Sequence, residues 1–270
     1  MRIELAKRLN EKIFYGWSIV FAAGLLTFFG TGFFSYTRGF FLPELAAALD
    51  GGNRFFISLG FSLATMTGAL ISPAVGRYLD QGSPKKIIFL GILVNSFFYL
   101  VLSQASSLLA FYIAVSIGLG VGMICMGGFT HHRAILNWFD QWRGRAVSVA
   151  VLGASLAGVA MPPVVESLIT NYGWQTTYQV FALVLILGLS PVVWLFFIDQ
   201  PEEIKEVRDG RQYATTNSQP EELFERDNRV WSFKELVKNP AFWSIGLIFG
   251  TMLSIWSAVM LHLVGHLRDI

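Results

Sequence analysis

Two stretches of this chain, Ile87 to Thr130 and Ser167 to Ile198, contain no Asp, Glu, Lys, Arg or His at all. Each exceeds the ~20 apolar residues that carry a helix across the hydrocarbon core of a bilayer. Inside that core a backbone must satisfy its own N–H and C=O groups, and segments this long and rich in Leu, Ile, Val and Ala do so only as helices. The expected fold class is therefore all-α, a polytopic membrane helix bundle. Composition points the same way, with 54% apolar and 14% charged residues against roughly a quarter charged in an ordinary soluble domain.

Charge-poor segments bounded by turn or charge signals fall at 15–38, 56–75, 86–103, 108–131, 146–165, 177–198 and 241–261, and these are the expected spans. The first follows a basic tail but is longer than the ~7 to 15 apolar residues of a signal peptide, and no small-residue cleavage site precedes the next span. Cys125 is the single cysteine, which excludes an internal disulfide. A net charge of +2 is too small to suggest a nucleic-acid partner.

Cations near the span ends set the expected orientation. Arg2, Lys7, Arg8 and Lys12 lie in the tail, Arg77, Lys85 and Lys86 after the second span, and Arg133, Arg143 and Arg145 after the fourth. The opposite face offers Arg54 and Arg38, so the N-terminus is expected in the cytoplasm, with the protein in the plasma or inner membrane. The expected organisation is a tail at 1–14, a six-helix bundle at 15–198, a charged cytoplasmic linker at 199–239 carrying Glu202, Glu203, Glu206, Glu221, Glu222 and Glu225, and a seventh helix at 240–270 that Pro240 opens. Six helices, a linker and a lone seventh helix look like half of a larger bundle.

The second-to-third connection runs Gly76-Arg77-Tyr78-Leu79-Asp80-Gln81-Gly82-Ser83-Pro84-Lys85-Lys86. It is similar to the loop signature of major facilitator transporters, departing from it at Gln81, where Arg is usual, and at Ser83, where Gly is usual. A carboxylate such as Asp80 at a helix end can pair with cations or the N-terminus of a neighbouring helix, and Lys85 and Lys86 suit an anionic leaflet. A longer match is Trp138-Phe139-Asp140-Gln141-Trp142-Arg143-Gly144-Arg145-Ala146, followed by Ala150, Gly153 and Gly158. It resembles the entry to the fifth span of monocarboxylate and oxalate/formate-type transporters, and Gly16-Trp17 at the start of span one, Gly173-Trp174 before span six and Leu261-His262-Leu263 late in span seven resemble the same branch. The resemblance implies secondary active transport of a small organic anion, with a monocarboxylate as the candidate solute, by alternating access between two six-helix halves. It also groups Gly76, Asp80, Lys85, Lys86 and Arg143 as a conformational latch, and makes protons a candidate coupling ion.

On the first helix, at 100° per residue, Thr27, Thr31, Ser35 and Arg38 fall within about 80° of one another, a polar stripe suited to a wet cavity. Arg38 has the planar fork that matches a carboxylate. It is expected ~35 Å along the helix, near the outer interface, where an arginine can also snorkel as an anchor. In monocarboxylate transporters a basic residue at the matching place is implicated in the substrate pathway. His131 shares a face of the fourth span with Ser116, Gly120, Gly127 and Thr130, as a proton relay, a substrate contact or a histidine that only hydrogen-bonds, whereas His132 points nearly opposite. Ala146, Ala150, Ala154 and Gly158 on the fifth helix, and Gly118 and Gly122 on the fourth, suit close helix packing. Glu166 is expected to be solvated.

Other classes find less support. The fifth helix lacks the Gly-Pro and paired glycines of many drug/proton antiporters, which leaves drug export as the alternative transport reading. A seven-helix receptor would place its N-terminus outside. A membrane-embedded enzyme would want converging carboxylates or several histidines, and His262 and His266, four apart, make two metal ligands without a third. No metal or cofactor is expected.

Overall fold

The computed structural model describes residues 14–49, 53–210 and 233–269, so the basic tail and the 211–232 part of the linker, with their charges, lie outside the described residues. Every regular element described is helical. Among the described residues, six helical runs are long and apolar enough to cross a membrane. One of them, Arg143–Phe196, has 54 residues, about 80 Å of helix against a hydrocarbon core of ~30 Å. It is interrupted at Gly173, whose φ of 82° and ψ of 164° leave helical space. That left-handed φ costs a residue with a side chain far more than it costs glycine, and the run divides there into spans five and six.

Span one differs most from expectation. Its helix Gly16–Thr31 passes through a π turn, Gly32–Tyr36, and resumes as Arg38–Ala48 with Pro43 inside it. The expected end at Arg38 is thus only a break, and the charge taken as a boundary is buried inside a continuing span. Span two runs Arg54–Gln81, which puts Gly76 to Asp80 on its last turns rather than in a loop. Span three, Pro84–Ser103, starts from Ser83, whose Oγ accepts from the Lys86 N–H. Span four is broken at Gly127 into Leu108–Met126, with a π turn at Ala114–Leu119, and Gly128–Trp138. Span five continues through Pro162 and Pro163, so Glu166 is an exposed helical residue. Span seven is Pro240–Asp269.

The closest packing joins spans one and five. Ala146, Ala150, Gly153 and Ala157 are the buried small residues of span five, and a Cβ at Gly153 would collide with the Gly24 carbonyl. The expected ridge drifts because a strict four-residue repeat turns 400° per step against 360° for a full turn; Ala154 and Gly158 end up half-buried beside it. Gly118 and Gly122 abut Phe98 and Asn95 of span three. Towards the far end of the bundle from Tyr15, Phe33 stacks on Phe181 at 3.9 Å and Phe41 on Tyr178 at 4.2 Å, joining spans one and six.

Candidate solute cavity between spans one, two and seven

Arg38 opens the second segment of span one, just past Thr37, whose hydroxyl donates back to the Phe33 carbonyl at 2.8 Å. Only 5% of its surface is exposed. Its Nη2 donates to the Ser257 carbonyl oxygen at 2.8 Å and to Ser257 Oγ at 2.6 Å, which ties span one to span seven. One ring pair, Tyr36 edge-on to Trp256 with centroids 5.9 Å apart, repeats the link beside it. Phe34 lies under the guanidinium at 5.9 Å. Arg38 Nε is buried with no hydrogen-bond partner among the described residues.

Beside this contact is a cavity of about 610 Å³ whose wall includes Arg38, Ser58, Ser62 and Thr65 of span two, and Ser254, Ser257 and His262 of span seven. An arginine with no acidic partner is expensive in lipid but stays ionised beside a polar, wettable space. The volume fits a small solute.

The other stripe residues are not part of that wall. Thr27 is buried, and Thr31 and Ser35 are half-buried elsewhere on span one. The π turn Gly32–Tyr36, which follows Thr31 and contains Ser35, closes i→i+5 bonds and takes in an extra residue, so the phase extrapolated at 100° per residue does not carry across it to Arg38. The hydroxyls of spans two and seven were missed, although Ser58, Ser62 and Thr65 are spaced four and three apart and Ser254 and Ser257 three apart, the spacing of a single helix face.

His131 is 1% exposed and bonded at both ring nitrogens: Nε2 lies 3.0 Å from Thr27 Oγ1 and Nδ1 lies 3.2 Å from the Met126 carbonyl. The break at Gly127 releases that carbonyl from the helical ladder, and Thr130 likewise caps the Ile124 carbonyl at 3.1 Å. So placed, His131 braces a broken helix against span one. His132 stands edge-on to it, ring centroids 4.9 Å apart.

The latch residues are divided among different partners. Asp80 is exposed, with no ion-pair or hydrogen-bond partner among the described residues. The carboxylate at the start of span three is Asp199, which accepts from the Lys85 N–H at 3.0 Å and from the Ser83 hydroxyl. Lys85 is buried instead of reaching for headgroups: its Nζ donates to the Trp194 carbonyl at 2.8 Å and sits over the Trp194 ring, so of the pair only Lys86 is exposed. Arg143 pairs with Asp140 at 2.6 Å and donates from Nε to Phe139 O at 3.0 Å. Gly76 lies near Phe129 of span four.

Comparison with known proteins adds sequence relationships to this geometry. A family model for the Major Facilitator Superfamily matches residues 12–267. An MFS-type transporter of Bacillus subtilis, YcxA, is 28% identical over 70% of this chain and 48% of its own length. Monocarboxylate transporter 13 of Rattus norvegicus is 27% identical over 65% of this chain and 39% of its own length. A galacturonate transporter of Dickeya chrysanthemi is 27% identical over 43% of this chain and 33% of its own. The chain thus spans less than half the length of each of these relatives. With its all-helical spans and a family match running nearly end to end, the chain belongs to the Major Facilitator Superfamily of membrane transporters.

Proposed function

We propose that this chain forms part of a secondary carrier for a small organic anion, a monocarboxylate among the candidates, working by alternating access. The observation that carries this reading is Arg38: buried, without an acidic partner among the described residues, and on the wall of a 610 Å³ cavity otherwise lined by hydroxyls, His262 and apolar groups. A largely buried guanidinium has lost much of its water, so it favours a carboxylate strongly and can bind it through two nitrogens. The Arg38–Ser257 contact closes span one on span seven, and an entering anion would compete for the same Nη2, which links binding to opening. On this reading residues 15–198 are one half of the carrier, 199–239 a cytoplasmic linker and 240–270 the start of the other half. The N-terminus lies in the cytoplasm, and protons are the candidate coupling ion.

Uptake of labelled lactate into proteoliposomes holding the protein of the full reading frame tests this, comparing wild type with Arg38→Lys and Arg38→Ala at matched abundance. Lysine keeps the charge but not the fork, so Arg38→Lys is expected to weaken apparent affinity by about 1 to 3 kcal/mol, the worth of a charge-assisted hydrogen bond. Equal affinity in all three proteins would reduce Arg38 to an anchor.

A further inference from the structure

Four of the five hydroxyl groups around the Arg38 cavity share a property that narrows the solute, the fifth, Ser257, being taken up by Arg38. Ser58 Oγ donates to the Arg54 carbonyl at 2.7 Å, Ser62 Oγ to Ser58 O at 3.1 Å, and Thr65 Oγ1 to Phe61 O at 3.2 Å. Across the cavity, Ser254 Oγ donates to Gly250 O at 2.8 Å. A hydroxyl has one hydrogen and two lone pairs. Each of these hydrogens is committed to its own helix, so the oxygens turn lone pairs towards the cavity.

We propose that the cavity selects carboxylates that also carry hydroxyl groups, with Arg38 holding the carboxylate and the serine and threonine oxygens of spans two and seven accepting hydrogen bonds from the solute's hydroxyls. The inference rests on the anion-carrier reading above. A plain aliphatic acid would leave this row of acceptors desolvated and unmatched. A second carboxylate would face it lone pair to lone pair. A neutral polyol would leave Arg38 without a counter-charge. From Ser58 to Thr65 is seven residues, ~10 Å along a helix axis, room for a chain of several hydroxylated carbons.

The test is binding to the purified full-length protein, followed by thermal stabilisation in detergent and by competition for uptake in proteoliposomes. Gluconate supplies several hydroxyls and pyruvate none. Gluconate is expected to bind at least about tenfold more tightly than pyruvate. Ser62→Ala and Thr65→Val should each weaken gluconate about fivefold, the worth of one neutral hydrogen bond, and leave pyruvate within twofold. Thr65→Ser should restore gluconate binding, and Arg38→Lys should weaken both solutes. Pyruvate binding as tightly as gluconate, or hydroxyl variants acting alike on the two, would overturn the selectivity while sensitivity to Arg38→Lys kept the anion reading standing. If neither solute bound and Arg38→Lys changed nothing, both would fall.

Discussion

At His131, the protein resolves a polar side chain in an apolar bundle by giving each nitrogen a fixed task. The Met126 carbonyl can only accept, so the ring hydrogen of the neutral imidazole belongs on Nδ1, and Nε2 is left to accept from Thr27. The Thr27 hydroxyl also lies 2.9 Å from the Ala23 carbonyl, its alternative acceptor. His131→Ala would remove the ring, open a cavity and strand the Met126 carbonyl in a dry interior. The expected loss is about 2 to 4 kcal/mol, against about 1 kcal/mol for Thr27→Val, which leaves Nε2 unsatisfied. Thermal unfolding in detergent measures both, and two equally mild losses would show that the break in span four does not depend on the brace. The helix face that His131 occupies could be read from helical phase. Its partner could not, because Thr27 lies 104 residues away and only the packing of span four on span one brings them together.

At the scale of helices, what was legible is what obeys local periodicity and chemistry. Charge-free length gave the spans, Gly-Trp at 173–174 marked the division between spans five and six, and an all-helical fold followed from the needs of a backbone in lipid. The helix ends were less legible because a charge was taken as a boundary, Arg38 in span one and Glu166 in span five. Arg38 and Glu166 both lie within continuing helix. The site was half legible: Arg38 was identified from its chemistry, while its companions were misassigned by a π turn that no composition rule reveals. The latch shows a related effect, since the motif directs attention to Asp80, yet the carboxylate bonded at the start of span three is Asp199, 119 residues further along the chain. Asp199→Ala is expected to cost about 0.5 to 2 kcal/mol, as for a lost N-terminal cap. Asp80→Asn should leave thermal stability unchanged, and should slow transport if this exposed carboxylate latches onto a partner in another conformation. Near-normal uptake by Asp80→Asn at normal abundance would make the motif carboxylate dispensable.

At the scale of the molecule, the last carbonyls of span six would be orphans at a helix end, and they are taken up by other spans. Trp194 O accepts from Lys85, Phe196 O from the Tyr15 hydroxyl at 3.0 Å, Ile198 O from Trp138 Nε1 at 2.9 Å and Asp199 O from Asn137 Nδ2 at 3.0 Å. The start of span one, the start of span three, the end of span four and the end of span six therefore lie together at one end of the bundle. Arg77, Lys86, Arg133, Arg143 and Arg145 are carried by elements that begin or finish at that same end. A cationic excess in short connections favours retention on the cytoplasmic side. The basic tail precedes Tyr15 directly, so it should share that side. Reporter fusions at residues 12, 105 and 215 test the whole arrangement: a periplasm-dependent phosphatase is expected to be active only at 105, and a fluorescent protein that matures only in the cytoplasm should be bright at 12 and 215. Phosphatase activity at 215 would require an odd number of crossings before the linker, which is incompatible with spans five and six as separate traverses divided at Gly173.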